Sequence, residues 1–120
     1  MRFFYLLLLL ISSNSIASSI YGYYSNVTST NGEPSGYEIL ILDNGRGGLN
    51  HTSLLFQRFE GWASMPELVD CNKCTLEKIS FVSKTMGVFE GKIENGQLVG
   101  RFVELNYYLQ LSKSASFWQQ

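Results

Sequence analysis

The chain reads as an all-β protein, and three observations carry that reading. The dominant hydrophobic period after residue 18 is two rather than 3.6. Glycine and asparagine punctuate the chain at short intervals. One Asn-Gly pair, Asn95-Gly96, stands between two apolar runs, which is the strongest local signal for a β-hairpin. Evenly spaced short strands with few long connections predict a single-domain antiparallel meander of about seven or eight strands, closed as a small up-and-down barrel or flattened as a sandwich. Closure would also remove exposed strand edges.

The first element is not part of that fold. Arg2 precedes an unbroken apolar run from Phe3 to Ile11, and Ser12–Ala17 follow with small and polar side chains. This is the three-part pattern of a secretory signal peptide. The run is well short of the ~20 residues that cross a bilayer. Residues 1–17 are therefore expected to be removed, leaving 18–120 as one β domain that is soluble and either periplasmic or secreted.

The remaining elements follow in order. Tyr21–Val27 is aromatic and β-branched, a first strand. Thr28–Ser35 contains Asn31-Gly32 and Pro34 and reads as a loop. Gly36–Leu42 is a second strand, with Tyr37, Ile39 and Ile41 on one face and Glu38, Leu40 and Leu42 on the other. Asp43–Gly48 is a turn, because glycines at 45, 47 and 48 accept positive φ. Thr52–Phe59 is a third strand, and Glu60–Pro66 is a loop carrying Trp62. Residues 67–83 admit two readings. One is a pair of strands, Glu67–Cys71 and Thr75–Ser83, joined across Asn72-Lys73. The other is a short helix opened by the capping-box-like Ser64-Met-Pro-Glu67. The β-rich Ile79–Val82 favours the strands.

With Asn95-Gly96 as the turn, the next register is fully determined. Glu94 faces Gln97, Ile93 faces Leu98, Gly91 faces Gly100 and Phe89 faces Phe102. On the opposite face Lys92 meets Val99, Glu90 meets Arg101 and Val88 meets Val103. A one-residue slip would put Glu90 opposite Phe102 and scramble both faces. Facing glycines mark a bend or the close approach of another group. Tyr107–Leu111 is a last strand, and Ser116–Gln119 is an aromatic tail.

Several short pieces resemble a group of uncharacterised small exported bacterial proteins. They are Gly22-Tyr-Tyr-Ser25, Ser35-Gly-Tyr-Glu-Ile39, Glu60-Gly61, Ile79-Ser-Phe81, Phe89–Ile93 with Leu98-Val-Gly100, Leu109-Gln-Leu111 and Ser116–Gln119. The resemblance implies a β-meander exported by a bacterium. It implies no activity and transfers no functional residue. Cys71-Asn-Lys-Cys74 departs from the group.

Composition narrows the function classes. Ten acidic residues stand against nine basic ones, and Arg2, in the leader, is one of the nine. No basic run supports nucleic-acid binding. Zinc needs about four ligands, and the chain has two cysteines and one histidine, His51. No metal or cofactor is expected. In an oxidising compartment Cys71 and Cys74 are read as a local disulfide, whose very short loop contributes about 2 kcal/mol in the chain-entropy picture. A Ser-His or Cys-His catalyst would have to use His51, and no partner acid or nucleophile is placed beside it. Glu38 and Glu60 could do acid–base work if they shared one lumen. Otherwise they are two exposed sheet residues, one of them paired with Arg58, or a polar handle for a ligand. Trp62, Tyr23, Tyr24 and Trp118 could line a pocket, or simply fill the core or cap the barrel ends. The expected function is a non-catalytic binding module that holds a small apolar ligand inside the barrel, or one that binds an envelope protein through its Asn31–Ser35, Asp43–Gly48 and Trp62–Pro66 loops. In the second form it would be an inhibitor or immunity-type protein.

Overall fold

The computed structural model describes residues 19–43, 52–71 and 74–119. The segment read as a signal peptide, most of the expected Asp43–Gly48 turn, His51 and Asn72-Lys73 lie outside the described residues. Among the described residues nine strands form one antiparallel sheet: β1 Gly22–Ser25, β2 Thr28–Thr30, β3 Glu33–Asp43, β4 Thr52–Glu60, β5 Glu67–Cys71, β6 Ile79–Ser83, β7 Gly87–Glu94, β8 Gln97–Phe102 and β9 Tyr107–Lys113. A short 3-10 helix, Phe117–Gln119, follows β9. Eight strands run round a nearly closed barrel in the order β5-β4-β3-β1-β9-β8-β7-β6, while β2 pairs only with β3. The all-β meander expected from the sequence is the fold.

Alternation builds the interior. Ile39 and Ile41 on β3, Leu54 and Phe56 on β4, Ile79 and Phe81 on β6, Phe89 on β7, Leu98 and Phe102 on β8 and Leu109 and Leu111 on β9 are all buried in one core. Phe56, Phe81, Phe89 and Phe102 meet at its centre with ring centroids 5.0–6.2 Å apart. Aromatic pairs at these separations add to the area they bury. The barrel therefore fills its own lumen, as small barrels do. Tyr24 is buried in the same core and donates its hydroxyl to the Ile20 carbonyl at 2.8 Å, and burial pushes its pKa up.

The β7–β8 register is the one expected, from Glu94↔Gln97 to Phe89↔Phe102. Asn95 and Gly96 hold φ of 53° and 73°, as a type I′ turn requires. Gly91 and Gly100 face each other because the Phe89 ring lies over them. A Cβ on Gly100 would stand 2.6 Å from that ring.

Two local expectations need correction. Thr28–Ser35 is not a plain loop: β2 and the start of β3 form a hairpin across Asn31-Gly32, with φ of 54° and 80°. The turn chemistry matches Asn95-Gly96, but β2 is fully exposed and polar, so no alternating pattern announces it. Both strands expected in 67–83 exist, yet the second begins at Ile79, not Thr75. Moreover, β5 and β6 are neighbours without a backbone ladder. Side chains close this seam. At one end the Glu67 carboxylate accepts hydrogen bonds from the Ser83 hydroxyl (2.8 Å), the Lys84 N–H (2.7 Å) and the Thr85 hydroxyl (3.2 Å). At the other, Cys71 and Cys74 form the expected disulfide, and Cys71 Sγ lies 2.9 Å from the Ser80 carbonyl oxygen.

Candidate binding recess at the barrel rim

The β4–β5 loop sits at the rim where β4 ends and β5 begins. It is pinned back onto its own strand. Ser64 donates its N–H to the Arg58 carbonyl at 2.8 Å, its hydroxyl accepts the Arg58 N–H at 3.1 Å, and its carbonyl accepts from Gln57 Nε2 at 2.7 Å. Gly61, at φ 79°, turns the chain and donates to the Pro34 carbonyl at 2.8 Å. A loop held this way loses little further freedom when it meets a partner.

Between this loop and the β6–β7 turn lies a recess of about 500 Å³. Phe56 reaches it from the core. Met65, Pro66 and Val69 supply apolar walls, and Arg58 and Lys84 supply cations. Ligand sites combine apolar walls with a few polar groups in this way and fall in this size range. Trp62, Met65 and Leu68 stand 74%, 86% and 69% exposed along the loop and strand. Aromatic residues, methionine and arginine are the types enriched where proteins meet.

Arg58 Nε lies 3.6 Å from the Glu60 carboxylate. Tyr37, cross-strand from Arg58, stacks on Phe56 and touches the Tyr107 ring. Burial first, and then the hydrogen bond with Tyr107, push Tyr37 up to about 12.

The sequence candidates separate into two places. Arg58 and Glu60 come together beside the recess, with Trp62 on the adjoining loop. Glu38 lies on the outer face of β3, beneath the C-terminal tail, and shares no lumen with Glu60. Ser116 Oγ donates to Glu38 Oε1 at 2.5 Å, and the Phe117 N–H donates to Oε2 at 2.9 Å. Trp118 Nε1 donates to Gln57 Oε1 at 3.1 Å. Phe59, also outward, is buried beneath the Phe117 and Trp118 rings. His51 lies outside the described residues. Among the described residues no three His, Cys, Asp or Glu side chains gather as a metal cluster, and no helix is long and apolar enough to cross a membrane.

Sequence reasoning missed Val69 and Lys84 as recess residues. They lie in different elements, and no spacing links them. Comparison of the chain with known protein families, curated proteins and solved structures returns no match.

Proposed function

We propose that this protein is an exported, non-catalytic binding module that engages its ligand at the rim recess rather than inside the barrel. One observation carries the reading. The lumen is filled by phenylalanine rings, while an apolar recess with Arg58 and Lys84 at its border stands open beside a pinned loop. The ligand is a small molecule with an apolar body, or the apolar side chains of an envelope protein. Exposed Trp62, Met65 and Leu68 favour the second form, in which the protein acts as an inhibitor or immunity-type partner. The leader pattern and the bacterial resemblance support export.

Native mass spectrometry of the processed protein, taken gently from its own host, tests this. Retained small-molecule mass supports the first form and a stoichiometric partner chain supports the second. For whichever is found, the Met65→Asp/Leu68→Asp double variant is expected to weaken binding at least about ten-fold, the scale of an interface anchor. Its folding stability should shift by no more than about 0.5 kcal/mol per exposed site. Unchanged affinity would remove the recess from consideration.

A further inference from the structure

The tail does more than cover Phe59. Together with the outer face of β1, β3 and β4 it borders a second pocket of about 350 Å³, which adjoins the rim recess at Pro66. Tyr23, Leu40, Leu55 and Pro66 form its apolar walls, Trp118 closes one side, and Glu38 lies within it. Tyr23, Leu40 and Leu55 are cross-strand neighbours in register, so the wall is a continuous row.

The state of Glu38 is unusual for a carboxylate. It is 5% exposed. Both oxygens accept hydrogen bonds, yet the donors are a hydroxyl and a backbone N–H, and the carboxylate forms no ion pair among the described residues. Buried charges are normally paired. An ionised carboxylate offers about four lone-pair positions, and the tail uses one on each oxygen. The pocket beside the remaining positions is lined by apolar surface, by the side chains of Tyr23 and Trp118, and by the Gln57 amide, which is itself bonded to Trp118 Nε1 and to the Ser64 carbonyl, so no cation among the described residues lines it. Aromatic faces attract cations most strongly where water is excluded. An anion would meet Glu38 directly, and a neutral guest would leave its charge unmatched.

We propose that this pocket is a binding site for an organic ammonium on a short apolar stem, with Glu38 as counter-ion and Tyr23 and Trp118 as its aromatic walls. The C-terminal tail completes the site by supplying Trp118 and by holding Glu38 from two sides, through the Ser116 hydroxyl and the Phe117 N–H, the second of which remains when Ser116 is replaced. The ammonium belongs either to a free alkylamine or to a lysine side chain of another protein.

The test is titration of the processed protein with 1-pentylamine, followed by NMR at the Trp118 indole N–H. Binding is expected with Kd on the order of 1 mM, and 1-pentanol should bind at least about ten-fold more weakly. Glu38→Gln should make the two ligands equal. Because that variant also alters the tail contact, Ser116→Ala is the companion. It removes one neutral donor, keeps the charge, and should retain the preference for the amine. A parallel titration with N-acetyl-lysine amide separates the sources. Tighter binding than pentylamine assigns a protein lysine, and weaker binding assigns a free amine. Equal affinity for pentylamine and pentanol in the unaltered protein, no response at Trp118, or a preference that survives Glu38→Gln or vanishes in Ser116→Ala would overturn the proposal.

Discussion

The β7–β8 hairpin and the β5–β6 seam are both junctions between neighbouring antiparallel strands, and they are closed by opposite means. The hairpin is zipped by backbone pairs along its length, from Glu94↔Gln97 to Phe89↔Phe102, behind a two-residue turn. The seam has no ladder and is held at its two ends, by the Glu67 carboxylate and by the Cys71–Cys74 loop. A ladder distributes its stability over many groups. A seam of this kind concentrates stability in a few side chains, each of which can be removed singly. The hairpin should therefore resist local opening, while the seam opens below the free energy of global unfolding.

The largest blow to the hairpin is expected from Gly100→Val. The added side chain would collide with the Glu90 carbonyl and with the Phe89 ring that occupies the glycine gap. Overpacking of this kind should cost about 3 kcal/mol, read as a lower midpoint in urea unfolding. A loss below about 1 kcal/mol would mean that the Phe89 ring moves aside freely.

Reduction of the disulfide attacks the seam instead. It should cost about 2 kcal/mol, the chain-entropy value for so short a loop. Hydrogen exchange should accelerate in β5 and β6, while β7 and β8 change only as far as global stability falls. Uniform acceleration would show that seam and hairpin open as one unit and would erase the contrast drawn above. Glu67→Gln is the mildest test, about 1 kcal/mol, because the amide keeps one acceptor oxygen but loses the charge that strengthens its three hydrogen bonds. Its signature is faster exchange at the Lys84 amide, with the Cys71 end of the seam unaffected.

The same contrast explains what could be read from the sequence. Local signals translated directly. Asn95-Gly96 dictates its turn, and the alternation of Phe89, Gly91 and Ile93 against Leu98, Gly100 and Phe102 admits one register. The facing glycines announced a close approach, and the Phe89 ring is that approach. Asn31-Gly32 has the same turn chemistry, but its flanks are Thr, Ser and Glu, so burial offered no second signal to confirm a hairpin. The seam was illegible for a different reason. Glu67 is separated by 16 residues from Ser83, and no periodicity links a lone carboxylate to the far strand that it ties down. The site around Glu38 lay furthest beyond reach, since Ser116 is 78 residues away. A glutamate between apolar neighbours is equally consistent with a solvent face, a lumen or a cap on a distant segment. Only the path of the tail decides among them.

The pairing of β1 with β9 carries a consequence for how the chain acquires its shape. Tyr24 and Ser25 hydrogen-bond in register with Lys113 and Ser112, so the first strand of the barrel waits for the last. Strands β6 to β9 need only neighbouring sequence and can assemble as successive hairpins. The edge of β1, by contrast, stays open until β9 is in place. Contacts of such long sequence separation demand an entropic outlay before they return any stabilisation, which places the fold among the slower β topologies. The ring of strands is thus completed in a single late event, and until then the unfinished molecule presents β1 as an unpaired edge to whatever else surrounds it.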